Sequence, residues 1–276
     1  MTLRDDLLNY MARNGRDATA LERPEVVIVG ERHGFLRSND AAVRTQAMTR
    51  LVRELLTDNR FRYFGNESFQ NAGPVRPAIR DYWVRTVLPP GFDSTAPGAA
   101  TMDPQEVGRR VMPRRFRPVL DDLKARPRYV LSIGSRSSGV VRDRRLAQHF
   151  FEEVTDRGIA RHAPGVLLLG AAHAAATLFS LGQTTTRMIL ERRGYRCTSI
   201  RVITDFAADG SFDDSVFPMA SGTVPGIRLG SLTLRSPISF STRASPDSPF
   251  FRVRDEFSDS GQSIAEQYEF MVLQRG

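Results

Sequence analysis

Two unbroken apolar runs, Val26-Val27-Ile28-Val29 and Val166-Leu167-Leu168-Leu169, constrain this chain most, and each is followed by glycine, two residues and a histidine. A strand with one wet face alternates apolar and polar residues. A run without a polar member predicts burial on both faces, as in a central parallel strand covered by helices. Phe61–Gly65, Tyr129–Ile133 and Thr198–Ile203 predict further strands of this kind. Patterns of helical period lie between them. Asp40–Leu56 places Val43, Ala47, Leu51 and Leu55 on one stripe behind the capping residues Ser38 and Asn39. Asp143–Thr155 carries Leu146, Phe150 and Val154, and Ala174–Arg193 carries Leu178, Leu181, Met188 and Ile189 with Gly194 as its C-cap. This alternation predicts an α/β fold: a central, mostly parallel sheet flanked by helices, with the site at the carboxyl edge of the strands.

Of the 276 residues, 41% are hydrophobic and 25% charged, enough apolar material for one sizeable core. No linker divides the chain, so residues 1–276 are expected to form a single domain. Val87–Pro113, which contains Pro-Pro-Gly-Phe-Asp-Ser-Thr-Ala-Pro-Gly, reads as a long insert or lid. Residues 205–276 read as a β-rich C-terminal extension, with strand signals at Arg228–Leu234 and Ile238–Ser241 and a closing strand over Gln267–Leu273. No apolar stretch approaches the roughly 20 residues that span a bilayer. Met1–Asn14 has the pattern of an amphipathic helix rather than a signal peptide. The one cysteine, Cys197, allows neither an intramolecular disulfide nor a cysteine zinc cluster. These features point to the cytoplasm and to no membrane partner. The net charge of +8 is almost all arginine, and it is scattered apart from short clusters such as Arg114-Arg115-Arg117. That favours a solvated surface over a nucleic-acid interface.

The chemistry is expected at the two strand ends, Gly30-Glu31-Arg32-His33 and Gly170-Ala171-Ala172-His173. Glycine permits a sharp turn there, and the histidine then stands at the sheet edge where open α/β proteins bind ligands. His149 and His162 lack this context. Glu67 ends the strand that begins at Phe61, and Ser135–Gly139 follows another strand as a hydroxyl- and glycine-rich loop in which Arg136 and backbone N–H groups suit an anion. Asp143 reads equally as an N-cap and as a site residue. The candidate site is therefore Glu31, His33, Glu67 and His173, with Arg37, Arg136 and Arg142 as supporting charges. Such a set can hold a divalent metal through His33, Glu67 and His173, leaving Glu31 to activate water. It can equally work without metal, with His33 or Glu31 as general base and an arginine stabilising negative charge. The chain has no His-Glu-x-x-His, Gly-x-Ser-x-Gly, P-loop or Gly-x-Gly-x-x-Gly motif, which removes the commonest metalloprotease, serine hydrolase, kinase and dehydrogenase assignments.

Val-Ile-Val-Gly-Glu-Arg-His-Gly, followed by a helix and Phe-Arg-Tyr-Phe-Gly-Asn-Glu, resembles the opening of the erythromycin-esterase-like/ChaN-like superfamily, which also includes the TraB/Tiki proteins. Val141-Arg142-Asp143-Arg-Arg-Leu-Ala147 resembles that group's Arg-Asp-x-x-x-Ala helix start. Gly170-Ala-Ala-His173 resembles its later strand end, and Gln267–Leu273 its last strand. The resemblance runs over most of the chain in the right order, and is strong at four short places. It implies an α/β fold with a cleft at the strand ends. It implies one of three activities: lactone hydrolysis with a histidine base and carboxylates, metal-dependent peptidase action, or haem binding. By carry-over, Glu31, His33, Glu67 and His173 are the site, with Arg37 and Arg142 supporting. Nothing in the chain reads as a lipoprotein signal or membrane anchor, the chain is shorter than typical macrolide esterases, and the segment after Asp205 has no counterpart.

The leading expectation is a hydrolase of an ester, lactone or amide, or a biosynthetic tailoring enzyme on the same site. The partner is then a small-molecule or peptide substrate. The alternative is a haem- or metal-binding protein without hydrolytic activity.

Overall fold

The computed structural model describes residues 6, 9–10, 13, 16–17, 25–31, 52, 55–56, 58–70, 129–135, 137, 140–177, 183–203, 218–219, 222–223, 238–242, 246–252 and 262–273. Strands β2 (Val26–Glu31), β3 (Tyr63–Gln70), β4 (Tyr129–Gly134), β5 (Gly165–Gly170), β6 (Cys197–Ile203) and β10 (Phe270–Leu273) are all parallel, in the order β10-β6-β2-β5-β3-β4. Two antiparallel strands extend the β10 edge: β9 (Ile238–Ser241) beside β10, and β1 (Arg16–Asp17) beside β9. A small ribbon of β7 (Pro218–Met219) and β8 (Gly222–Thr223) stands apart from this sheet. The architecture is the α/β arrangement that the apolar runs predict.

The runs are unbroken because both faces of the sheet are covered. Val26 and Ile28 of β2, Leu167 and Leu169 of β5, Tyr63 of β3, and Leu131 and Ile133 of β4 share one core. Ala147, Phe150 and Val154 of helix α1 (Val140–Asp156) belong to the same core. The alternate residues Val27, Val29, Phe64, Val166 and Leu168 point to the other face by strand geometry and are fully buried as well. Each such side chain contributes about 1.5–3 kcal/mol by leaving water. Phe150 anchors α1, meeting Tyr63 and Tyr195 with ring centroids 5.7 and 5.4 Å away.

Strand order turns back at the centre. From β2 the chain passes to β3 and β4 on one side, returns to β5 between β2 and β3, then crosses to β6 on the other side. The carboxyl ends of β2 and β5 thus lie side by side at a switch point, with Glu31 opposite Gly170.

Two expected elements differ. Ala174–Arg193 is not one helix. It is a single turn α2 (Ala171–Ala174), an extended residue at Ala175 (φ −65°, ψ 142°), and a separate α3 (Thr186–Arg192). Where the helix stops, at Ala175–Thr177, there is no proline or glycine. The break is set by tertiary bonds, with Ala174 O taken by Ser199 Oγ and Ala175 O by Thr185 Oγ1. The closing strand is also shorter than Gln267–Leu273: Ile264–Gln267 forms helix α4, closed at its start by a Ser263–Glu266 capping box, and the strand begins at Phe270. Gly194 does close α3 in the left-handed region, at φ +86°. Asp6, Asn9, Tyr10 and Arg13 are helical, as the amphipathic N-terminal pattern predicts. Of Asp40–Leu56, Val52 and Leu55 are helical and buried, Leu56 is a buried turn residue, and the rest of that prediction lies outside the described residues, as do Val87–Pro113 and Arg228–Leu234. Among the described residues no helix is long and apolar enough to cross a membrane.

Candidate functional site

Three neighbouring carboxyl ends supply the site. On β3, Asn66 pairs with Ser132 and the next paired residue is Gln70, opposite Gly134, so four steps of β3 run against two of β4. Such a bulge re-aims side chains at a sheet edge, and Glu67 sits inside it, 2% exposed. After β4 the chain enters α1, whose first turn carries Arg142 and Asp143. After β5 it enters α2, which carries His173.

His173 stands between two carboxylates. Its Nδ1 lies 2.9 Å from Asp143 Oδ1, and its Nε2 faces Glu67 Oε2 at 3.7 Å. Arg142 approaches the other oxygen of Glu67 at 3.5 Å. Asp143 Oδ1 also accepts from the backbone N–H and the hydroxyl of Thr186, both at 2.6 Å. An oxygen already accepting two donors acts as a carboxylate acceptor, so the hydrogen at the Nδ1 contact belongs to the imidazole. In the neutral ring Nε2 then carries the lone pair. The side chain of His173 is 14% exposed, so that nitrogen works in a largely water-excluded setting beside a buried carboxylate. Once protonated, Nε2 becomes a donor toward Glu67, and both carboxylates stabilise the imidazolium.

A one-turn helix does not hold itself in water, and α2 is fixed from outside. Tyr268 Oη donates to Ala171 O, Ser199 Oγ to Ala174 O, and Thr185 Oγ1 to Ala175 O. Gly30 lets α2 approach the sheet, since a Cβ there would meet Ala171 Cα at 3.1 Å, Ala174 Cβ at 3.2 Å and Ile200 O at 3.3 Å. This corrects the role expected of the motif glycines. Gly170 has φ −60° and ψ 146°, which any residue adopts, and Gly30 is needed for close packing rather than for a turn.

A second polar cluster fixes α3. Arg187 forms a two-pronged pair with Glu269, NH1–Oε2 at 2.8 Å and NH2–Oε1 at 2.7 Å, and its Nε bonds Glu191 at 2.9 Å. Burial works against the Arg187 charge, but the bonds to Glu269 and Glu191 outweigh it and raise the guanidinium's pKa. Ser199 N donates to the same Glu269 carboxylate, tying α3, β6 and the start of β10 together.

Of the residues predicted from sequence, Glu67, Arg142 and His173 come together. Glu31 closes β2 with its main chain beside Gly170; its side chain, His33, Arg37 and Arg136 lie outside the described residues. Asp143 lies beside them on His173, and it caps a helix other than its own, since its carboxylate bonds the first residue of α3. Thr186 has no local signal, because its role depends on α1 lying beside α3. His149 and His162 lie away from this group: His149 Nδ1 meets the carbonyls of Ile133 and Gly134, and His162 pairs with Glu25 at 3.3 Å. Burial pushes the Cys197 thiol far up, which disfavours the nucleophilic thiolate. Among the described residues no three His, Cys, Asp or Glu side chains are arranged to hold a metal ion. Of the expected metal set, His173 Nε2 and Glu67 face one another, and His33 lies outside the described residues.

No family model matches the sequence, and no curated protein does. Solved structures share its fold. A structure titled as a succinoglycan biosynthesis protein superposes with a TM-score of 0.54 at 11% identity, covering 100% of this chain and 97% of its own. A Bacillus cereus protein superposes with a TM-score of 0.51 at 9% identity, covering 99% and 97%. At such identities the likeness concerns the α/β fold.

Proposed function

We propose that this chain is an acid–base enzyme, a hydrolase of an ester, lactone or amide or a biosynthetic tailoring enzyme using the same chemistry. The observation that carries the reading is the Asp143–His173 bond with Nε2 turned toward Glu67 at the carboxyl edge of the sheet. Asp143 holds the ring in the tautomer whose Nε2 accepts a proton from water or a substrate hydroxyl. Glu67 and Asp143 stabilise the resulting imidazolium, which returns the proton to the leaving group. Arg142 restrains Glu67 and offers a positive charge to a developing oxyanion. Glu31 and His33, from the adjacent strand end, are the candidates for a second proton-transfer group.

Membership of the erythromycin-esterase-like/ChaN-like superfamily is part of this proposal. It is supported by the order of the four motifs, and by a full-length likeness of fold. The neighbour titled for succinoglycan biosynthesis suits the tailoring branch. The test is turnover of an aryl ester, a macrolactone and an anilide by the wild type and by His173→Ala. The variant should lose about 10²–10⁴-fold in rate with an unchanged far-UV spectrum. A wild type inert on all three, or a variant as active as the wild type, overturns the reading. A Soret band in untreated protein would establish haem binding instead.

A further inference from the structure

We infer that Thr186 is a positioning residue: its backbone N–H and its hydroxyl together aim Asp143 at His173 Nδ1 and so select the imidazole tautomer. This deepens the proposed function and rests on His173 being its acid–base group. Both Thr186 donors reach one oxygen, Asp143 Oδ1, at 2.6 Å, and His173 Nδ1 reaches that same oxygen at 2.9 Å. Thr186 is 1% exposed and Asp143 4%, so water does not replace either bond. With three donors on one oxygen, the carboxylate has a single orientation. Thr186 is also the first residue of α3, and its neighbour Arg187 is clamped to Glu269 at 2.7 and 2.8 Å. The donors are therefore fixed in space by Glu269, the residue just before β10, and not only by α1. A residue acting purely as helix packing would contribute volume here; the geometry asks for a hydroxyl.

The distinction is readable in the imidazole itself. Histidine labelled with ¹⁵N reports which ring nitrogen carries the proton, and the His173 signals are assigned by their loss in His173→Gln. The wild type should show an Nδ1-protonated ring with a slowly exchanging, low-field proton. Thr186→Val and Thr186→Ala should mix the tautomers and lose that proton, while Thr186→Ser restores the wild-type pattern. On a substrate the wild type turns over, Thr186→Val should lower kcat about tenfold with KM nearly unchanged, and Thr186→Ser should recover it. An unchanged imidazole spectrum in folded Thr186→Val overturns the inference. If neither hydroxyl-free variant folds, a wild-type ring protonated at Nε2 instead of Nδ1 overturns it. The spectra do not depend on turnover. Scrambled tautomers in a protein inert on every substrate would leave the inference standing and remove the enzyme reading. Unmoved tautomers with turnover lost in His173→Ala would do the reverse.

Discussion

Asp143 and His173 lie thirty residues apart in the chain and meet with Oδ1 2.9 Å from Nδ1, the carboxylate from the first turn of α1 and the imidazole from the single turn α2. The helices reach one another because β4 and β5, which precede them, end at the same edge of the sheet with β3 between them. Everything near the pair restricts it. Thr186 fixes the carboxylate, three hydroxyls fix α2, and Glu67 with Arg142 occupies the far side of the ring.

Gly30→Ala tests whether the packing of α2 matters to the pair. The new methyl meets Ala171 Cα, Ala174 Cβ and Ile200 O at 3.1–3.3 Å, and two of these are backbone atoms that cannot swing aside. Overpacking of this kind costs about 1–3 kcal/mol. The thermal midpoint should fall accordingly, and the low-field His173 proton should broaden or vanish as α2 is pushed off the strand. A midpoint equal to the wild type's would show that α2 has room to relax.

The Arg187–Glu269 pair predicts an asymmetry. Glu269→Leu leaves a guanidinium 7% exposed with a weaker partner and also strips Ser199 N of its acceptor. Arg187→Met leaves a carboxylate 22% exposed, which water can reach. Breaking a buried pair costs up to about 3–5 kcal/mol when the remaining charge is stranded, so Glu269→Leu should be the more harmful, as measured by urea unfolding. Equal losses would show that Arg187 is not the stranded partner.

Acid stability should carry a Glu25 component. Burial raises the pKa of this carboxyl, but the bonds from Arg196 N, His162 and the Arg196 guanidinium outweigh it and hold the value below 4.5. A lowered carboxylate pKa contributes stability above the ordinary value, and that contribution is lost as pH falls through the lowered one. Unfolding free energies of the wild type and Glu25→Gln should therefore differ near neutrality and converge as the pH drops well below 4.5. Parallel curves over the whole range would contradict this.

Cys197 should be inert in the native state, since burial pushes its thiol far up. An aromatic disulfide reagent should react with it slowly until denaturant is added, and Cys197→Ser should leave turnover unchanged. Prompt labelling of the folded protein would contradict the assignment.

The fold was legible where one physical cause acted alone. Val26–Val29 and Val166–Leu169 announced a two-sided core because a strand with one wet face would alternate apolar and polar residues. Tyr63–Gln70 was legible only as far as Gly65, because β3 continues through Asn66 and Glu67, whose polarity belongs to a bulge at the sheet edge. The break after Ala174 was invisible, since hydroxyls from Ser199 and Thr185, distant or outside the local pattern, end that helix. Asp143 could be read locally as a cap, and its second role required knowing that α3 lies against α1. Thr186 had no signal at all, because its neighbours in sequence say nothing about which carboxylate its N–H will meet.

The most direct measurement is the steady-state kinetics of Asp143→Asn beside the wild type. The amide keeps the shape and an oxygen that accepts from Thr186 and from His173 Nδ1, yet it removes the negative charge that stabilises the imidazolium formed in the reaction. On a substrate the wild type hydrolyses, kcat should fall by about 10²–10⁴ with KM little changed, because the imidazolium loses the charge of its partner. A variant that retains wild-type kcat would contradict the claim that Asp143 and His173 form the reacting pair.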